Sequence, residues 1–164
     1  MSNKADPATP SHSANNGKYL SFVLDGEEFG LEILKVQEII GVMKATRVPK
    51  SPNYVRGVIN LRGKVIPVVD LRLKFGMAGT IDTERTCVIV TQVRLKGLPI
   101  TMGVIVDDVS EVLSIAAAQI EEPPSVSKNI DAEVLLGMGK VGKKVIMLLD
   151  IDKVLVASDS LAAG

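Results

Sequence analysis

The stretch that decides the fold runs from Gly57 to Phe75 and reads GVINLRGKVIPVVDLRLKF. Two short apolar runs, Val58-Ile59 and Val65-Ile66-Pro67-Val68-Val69, flank a polar tip, Asn60-Leu61-Arg62-Gly63. β-Branched runs around a glycine-bearing tip predict a β-hairpin, and Gly63 supplies the positive φ that a tight turn needs. Asp70 stands where a helix N-cap belongs, ahead of Leu71-Arg72-Leu73-Lys74-Phe75, and Gly76 stands at the stop. Pro67 cannot donate to a ladder, so its strand is expected at an edge or with a bulge. The product is a hairpin, a short helix and one arginine held out at the tip. It reads as a contact surface; nothing in it is catalytic equipment.

The remaining composition narrows the function classes. At 164 residues and 46% apolar, the chain suits one domain with a buried core. Nineteen basic and nineteen acidic residues cancel, so no global field draws the protein to nucleic acid or an anionic membrane. Aromatics make up 3%, with no Trp, which argues against a base-stacking platform. Cys87 is the single cysteine and lies in the apolar run Cys87-Val88-Ile89-Val90, so it reads as a small buried hydrophobe in a reducing compartment. His12, the only histidine, is in a polar tail. One His and one Cys so placed build no zinc site, and no metal or cofactor is expected. No apolar run approaches the ~18 residues of a membrane span, and the N-terminus lacks a signal-peptide core. The expected location is cytoplasmic.

Taken in order, Met1–Gly17 is polar and expected to be disordered. Leu20, Phe22 and Leu24 alternate with Tyr19, Ser21 and Val23, the period of a strand, and Asp25-Gly26 turns it toward Phe29 and Leu31. Ile33–Val36 fits a helical turn and Gln37–Ile40 a strand, though periodicity leaves this piece open. Val42–Asn53 reads as a strand and then a loop; Pro49-Lys50-Ser51-Pro52 has PxxP spacing but suits a loop better. After the central hairpin come a loop at Met77–Arg85, a strand at Thr86–Arg94, a turn at Lys96-Gly97, a return at Pro99–Val106, and another strand at Val109–Ile115. Ala116–Gln119 fits one helical turn and Glu121–Ser125 a rigid loop. Glu133–Leu149 is a hairpin with a glycine-rich tip, Asp150 caps a last helix through Leu155, and Ala157–Gly164 is a frayed tail. Many short strands with turns between them mark an all-β barrel or sandwich.

The chain also resembles itself. GLEILKVQEII from Gly30 lies over GVIVDDVSEVL from Gly103, and KVIPVVDLRLKF from Lys64 over KVIMLLDIDKVL from Lys144, at offsets of 73 and 80 residues. A duplication predicts two similar small barrels, one per half, packed on one another with a groove between them. Each half is too short to be more than marginal alone.

Gly137-Met138-Gly139-Lys140-Val141-Gly142 satisfies G-x-G-x-x-G. Lys143-Lys144 and a strand-like run come next, with no helix N-terminus for a pyrophosphate, so the motif reads as a hairpin tip. Asp107-Asp108 and Glu121-Glu122 are sequence neighbours that face opposite ways on a strand, hence solvated charges and no catalytic dyad. Arg62 is the residue of interest. Its planar fork suits a carboxylate, and Glu38 is the expected partner. Val36, two residues earlier, is expected on the same strand face, which places an apolar contact beside an acidic one. An exposed pair contributes only ~0–1 kcal/mol to stability, so its value would lie in recognition.

FGLEILKVQEII, RVPKSPNYVRGVINLRGKVIPVVDLRLKFG and MGVIVDDVSEVL are also the stretches by which the chain, over Lys18–Val156, resembles the CheW family of bacterial chemotaxis coupling proteins. The resemblance implies an all-β fold of two five-stranded SH3-like β-barrel subdomains on a shared hydrophobic core, with a few short helices. It implies a non-enzymatic adaptor between chemoreceptor cytoplasmic tips and the regulatory domain of the histidine kinase CheA, recruited to membrane-associated receptor arrays and able to join the kinase in rings. The receptor's helical hairpin would dock in the groove between barrels. By matching motif positions, Val36, Glu38, Gly57, Arg62 and Val88 are implied to line or shape the receptor-binding surface. Gly103 and Gly137 match further glycines of the pattern, with a packing role as the alternative. The kinase contact is implied on barrel edges, with no residue assigned. No kinase or receiver segment accompanies the domain, so a free-standing coupler is expected. The chain departs from the family at Arg94–Ile100, an insertion-like stretch.

Overall fold

In the computed structural model, residues 17–77, 81–123 and 132–156 are described. The expected tails, apart from Gly17, lie outside them, as do His12 and the Pro124-Ser125 end of the expected rigid loop. The first hairpin pairs β1 (Lys18–Leu24) with β2 (Glu27–Glu32) across Asp25-Gly26. A 3-10 turn at Ile33–Lys35 leads into β3 (Val36–Gly41). The central hairpin is β4 (Val55–Leu61) and β5 (Lys64–Asp70), continuing into helix α1 (Leu71–Lys74). Next come the nine-residue strands β6 (Cys87–Leu95) and β7 (Leu98–Val106), then β8 (Asp108–Ser114) and the two-residue β9 (Ile120–Glu121). The chain closes with β10 (Leu135–Val141), β11 (Lys144–Leu149) and α2 (Ile151–Val156).

The expected turn chemistry is present. At three tips both central residues take positive φ, as two-residue hairpin turns matched to strand twist require: Asp25 and Gly26, Arg62 and Gly63, Lys96 and Gly97. The insertion-like stretch is thus the tip of the longest hairpin. Asp70 caps α1 by accepting from Arg72 N–H at 3.0 Å, and Asp150 accepts from Lys153 N–H at 3.3 Å in α2. Gly76 has φ +76° and donates to Leu73 O at 3.0 Å, the expected helix stop. Three details differ. No strand starts at Val42; only an isolated bridge, Thr46 to Val58, lies in that segment. Gly137 and Gly139 belong to β10, so the glycine-rich tip shrinks to Gly142-Lys143. Lys50 has φ +62° and Ser51 N–H donates back to Val48 O at 3.3 Å, so the PxxP segment is a turn rather than an extended ligand.

The strands form a six-stranded sheet, β9-β10-β11-β2-β1-β8, and a five-stranded sheet, β3-β6-β7-β5-β4. The second β-unit therefore gains the short β9 over the five strands expected. The internal repeat is real but intertwined. In the six-stranded sheet, β1 and β2 from the first half sit among strands of the second half. In the five-stranded sheet, β6 and β7 from the second half sit among strands of the first. Neither half builds a sheet alone, which corrects the one-barrel-per-half expectation. The exchange is sealed by two parallel pairings, Leu148 opposite Gly30 and Val68 opposite Gly103, which the repeat offsets of 80 and 73 map onto one another. Pro67 lies just before β5 takes up its parallel partner, where the strand is paired only with β4; its missing N–H costs nothing there.

Burial matches this architecture. A small cluster of Ile59, Ile66, Val68, Val88, Val90 and Ile105 fills the five-stranded unit. Tyr19, Ile115, Ile146 and Leu148 fill the six-stranded one. The larger shared cluster lies between the sheets and includes Leu20, Leu31, Val69, Ile89, Val104, Leu149 and Leu155. All three phenylalanines of the chain stack there, Phe22 on Phe29 at 5.8 Å and Phe29 on Phe75 at 6.2 Å between centroids. A sheet with a core on each face buries both sides of its strands. Tyr19 and Ser21 are accordingly buried along with Leu20, Phe22 and Leu24, where alternation alone predicts a half-buried strand.

Gly57 marks a close backbone approach. It has φ +140° at a β-bulge in β4, and a side chain there would run into the Thr46 carbonyl oxygen. Gly137 occupies the twin bulge in β10, where a Cβ would meet Glu121 O at 2.9 Å. Gly57→Ala is expected to destabilise the fold by about 2–4 kcal/mol, because backbone cannot yield. Gly26→Ala, with positive φ but nothing within 4 Å, is expected to cost about 1 kcal/mol. Urea midpoints of the two variants check the ranking.

Candidate contact surface

Arg62 is the first residue of the β4–β5 tip, with φ +53°. Asn60 Oδ1 accepts from Gly63 N–H at 2.7 Å and holds the turn. The arginine side chain is 67% exposed, and its Nη2 donates to Glu38 Oε2 on β3. β3 and β4 are opposite edges of the five-stranded sheet. The sheet therefore curls until its edges approach, as the Thr46–Val58 bridge also shows. The expected Arg62–Glu38 pair exists and spans that approach.

Val36 does not share the face of Glu38. A bulge between them sets Val36 opposite Thr91 and Glu38 opposite Val90, and adjacent residues of β6 face opposite ways. Val36 packs against the core between the sheets, with Ile39 opposite Ile89 on the same side. Glu38 lies with Ile40, which packs on the cluster inside the five-stranded unit. The surface thus wraps the β3 edge, apolar on one side and charged on the other. Ile39, 44% exposed, and Met43, 38% exposed, add apolar area that the sequence reading passed over.

The other expected site residues lie beneath the surface. Val88 is 2% exposed, opposite Ile40, and cannot touch a partner. It fills the space over Gly103, where a Cβ would come within 2.7 Å of Val88 Cγ1. Gly57 and Gly137 are the two bulge glycines. Cys87 is half-buried rather than buried, at the margin of the shared core, and burial pushes its thiol up. Among the described residues, no group of three or more His, Cys, Asp or Glu is placed to hold a metal, and no helix is long and apolar enough to cross a membrane.

Sequence reading missed a second arginine. Arg72 is 2% exposed. Its Nε and Nη2 donate to the two Asp70 oxygens at 2.9 Å each, Nη2 also to Asp82 at 2.7 Å, and Nη1 to Asp107 at 3.1 Å and Ile81 O at 3.2 Å. Arg56 adds bonds to Asp82 at 2.9 Å and Asp70 at 3.2 Å. Asp107 accepts in addition from Asp25 N–H at 2.8 Å, so it is a bridging group where a solvated charge was expected. The signal was an arginine at the second helical position, between two leucines and two residues after the capping Asp70. The bonds Arg56 donates, with those of Arg72, hold the Asp82 carboxyl down to about 2 against partial burial. The Asp70 carboxylate, first among its partners, pushes Arg72 further up.

Comparison with known proteins agrees with this architecture. The family model described as CheW-like domain matches residues 18–159. The chemotaxis protein CheW of Klebsiella aerogenes is 41% identical over 145 residues, 88% of this chain and 84% of that protein. A probable chemotaxis protein CheW of Rhizobium etli is 34% identical over 156 residues, 95% and 98% of the two chains. The crystal structure of the scaffolding protein TtCheW from Thermoanaerobacter tengcongensis superposes with a TM-score of 0.76 at 34% identity, covering 85% of this chain and 92% of that one.

The ionic cluster predicts an acid limit. Asp82 titrates lower in the folded chain than its ordinary value of 3.8. Its contribution to stability is therefore complete above about pH 4 and is lost as pH falls toward 2. Asp82→Asn is expected to be less stable at pH 7 and to show a shallower fall across that window. Urea midpoints measured from pH 2 to 7 on both proteins check it.

Proposed function

Since the chain belongs to the CheW-like family of chemotaxis proteins, we propose that it is a non-enzymatic adaptor coupling chemoreceptor cytoplasmic tips to the regulatory domain of the histidine kinase CheA. The observation that carries the reading on this chain is the Arg62–Glu38 pair, held out at a turn where two sheet edges approach, with the exposed Ile39 on the other side of β3. An exposed ion pair is worth little to the fold, while an acid, a base and adjoining apolar side chains suit one face of an amphipathic helix. The receptor tip is a helical hairpin of that kind. The chain works in the cytoplasm, recruited to membrane-associated arrays. The kinase engages other barrel edges, and repeated edge contacts close into rings when their rotation allows. The mechanism is geometric: receptor and kinase are held at fixed places on one body, and no bond is made or broken.

Glu38, Arg62, Ile39 and Val36 form the proposed receptor surface, with Gly57 and Val88 shaping it from beneath. Arg62→Glu is expected to weaken receptor-tip association by roughly tenfold, the loss of one charge-assisted contact plus repulsion from Glu38, with an unchanged urea midpoint. The Glu38→Arg, Arg62→Glu double variant is expected to recover part of the loss. Pull-down of purified receptor tips and CheA, with kinase activity measured with and without the adaptor, checks both. Full binding by Arg62→Glu returns the residue to an ordinary exposed turn.

A further inference from the structure

The chain crosses between its two sheets at two twin points, the turn from β2 to β3 and the turn from β7 to β8. Each crossing is gripped by the second residue of a short helix. At one, Arg72 of α1 holds Asp107, whose other oxygen takes the Asp25 N–H of the β1–β2 tip. At the other, Asp152 of α2 holds Lys35 at 2.8 Å and accepts from Arg94 N–H of β6 at 3.0 Å. Arg72 and Asp152 stand 80 residues apart, the offset of the helical repeat. The position is thus shared by both copies, while the charge is reversed: base on helix and acid on crossing in one copy, acid on helix and base on crossing in the other.

The two grips tie different sheets together. Asp107 leaves the five-stranded sheet and bonds the tip of β1–β2 in the six-stranded one. Asp152 comes just after β11 of the six-stranded sheet and bonds Arg94 in β6 of the five-stranded one. Apolar contact between sheets is non-directional; charge-assisted bonds at two separated points add direction. We propose that these two ionic latches, Arg72–Asp107–Asp25 and Asp152–Lys35–Arg94, fix the angle between the sheets, and that this angle is what carries a change at the receptor surface to the kinase. The second clause rests on the adaptor reading above; the first does not.

The second latch is the one to test, because Lys35 and Asp152 are only 26% and 28% exposed at the side chain yet not in a core, so their variants are expected to fold. The variants are Asp152→Lys and the conservative Asp152→Glu, which keeps a carboxylate able to accept from both Lys35 and the Arg94 N–H, in the full chain. Residual dipolar couplings of backbone amides in the free protein read the sheet angle. Asp152→Lys is expected to leave the couplings within each sheet consistent and to rotate one sheet against the other; Asp152→Glu is expected to keep most of the original orientation. With receptor tips and CheA, Asp152→Lys is expected to keep each binary affinity within about twofold while kinase control in the three-component assembly falls by roughly fivefold or more, and Asp152→Glu retains it. An unchanged sheet angle in Asp152→Lys overturns the latch, and so does an Asp152→Glu angle displaced as far as that of Asp152→Lys. A changed angle with full kinase control overturns the transmission clause. A wild-type chain that binds neither partner defeats the adaptor reading, while the dipolar couplings still decide the latch.

Discussion

Two parallel seams hold this molecule together, β11 against β2 and β5 against β7. Each joins a strand of one half to a strand of the other, so neither half has a complete sheet until both are present. Parallel pairs need long crossovers and pay loop closure before they gain contacts. The return is the apolar cluster between the sheets, larger than either unit could enclose by itself. Gly30 and Gly103 stand on the seams because a side chain there would strike Leu148 or Val88, at 2.9 and 2.7 Å. The seam, the two glycines and the three-part core are one solution: the backbones approach, and large aliphatic side chains from neighbouring strands fill what the glycines leave open.

The two arginines near the central hairpin serve opposite ends. Arg62 is two-thirds exposed and paired with Glu38, and that pair adds at most ~1 kcal/mol to stability. Arg72 is buried, with all its donors committed to Asp70, Asp82, Asp107 and Ile81. Removing Arg72 itself would strip the buried Asp70 of its main partner, and breaking a buried pair in this way costs about 3–5 kcal/mol. They lie ten positions apart and have the same chemistry. Burial alone decides that one shapes the fold and the other is available to a partner.

Hairpins, caps and turn types were legible because they are local. A glycine at a tip, an Asp before an apolar run and a period of two each act within a few residues. The pairing of Arg62 with Glu38 was legible from charge and the family resemblance. Three things were not. The exchange of strands between halves depends on which hairpin meets which sheet, and a repeat detected along the chain carries no such information. The bulge at Val36–Glu38 inverted one side chain, since spacing of two implies a common face only in a regular strand. The Arg72 network draws on Asp70, Asp82 and Asp107, which no sequence window contains together.

The two copies within the chain permit a comparison of their own. What both copies keep must serve what both copies share, the fold. The bulge glycines Gly57 and Gly137 are kept, as are the seam glycines Gly30 and Gly103 and the helix-capping Asp70 and Asp150. The backbone bonds of those caps are kept as well, Asp70 N–H to Tyr54 O at 2.7 Å and Asp150 N–H to Val134 O at 2.8 Å. What only one copy has is free to serve something else. The place of Arg62 is taken by Gly142, with φ +60°, and Lys143 stands where the first copy has Gly63. A tight turn prefers glycine there, and Arg62 holds the same left-handed region against its own Cβ. Asp25 and Lys96 hold that region too, each as the first residue of its own tip, so a side chain there is the common pattern of these hairpins. What sets the Arg62 tip apart is therefore its guanidinium, which reaches Glu38 across the approaching edges of the five-stranded sheet.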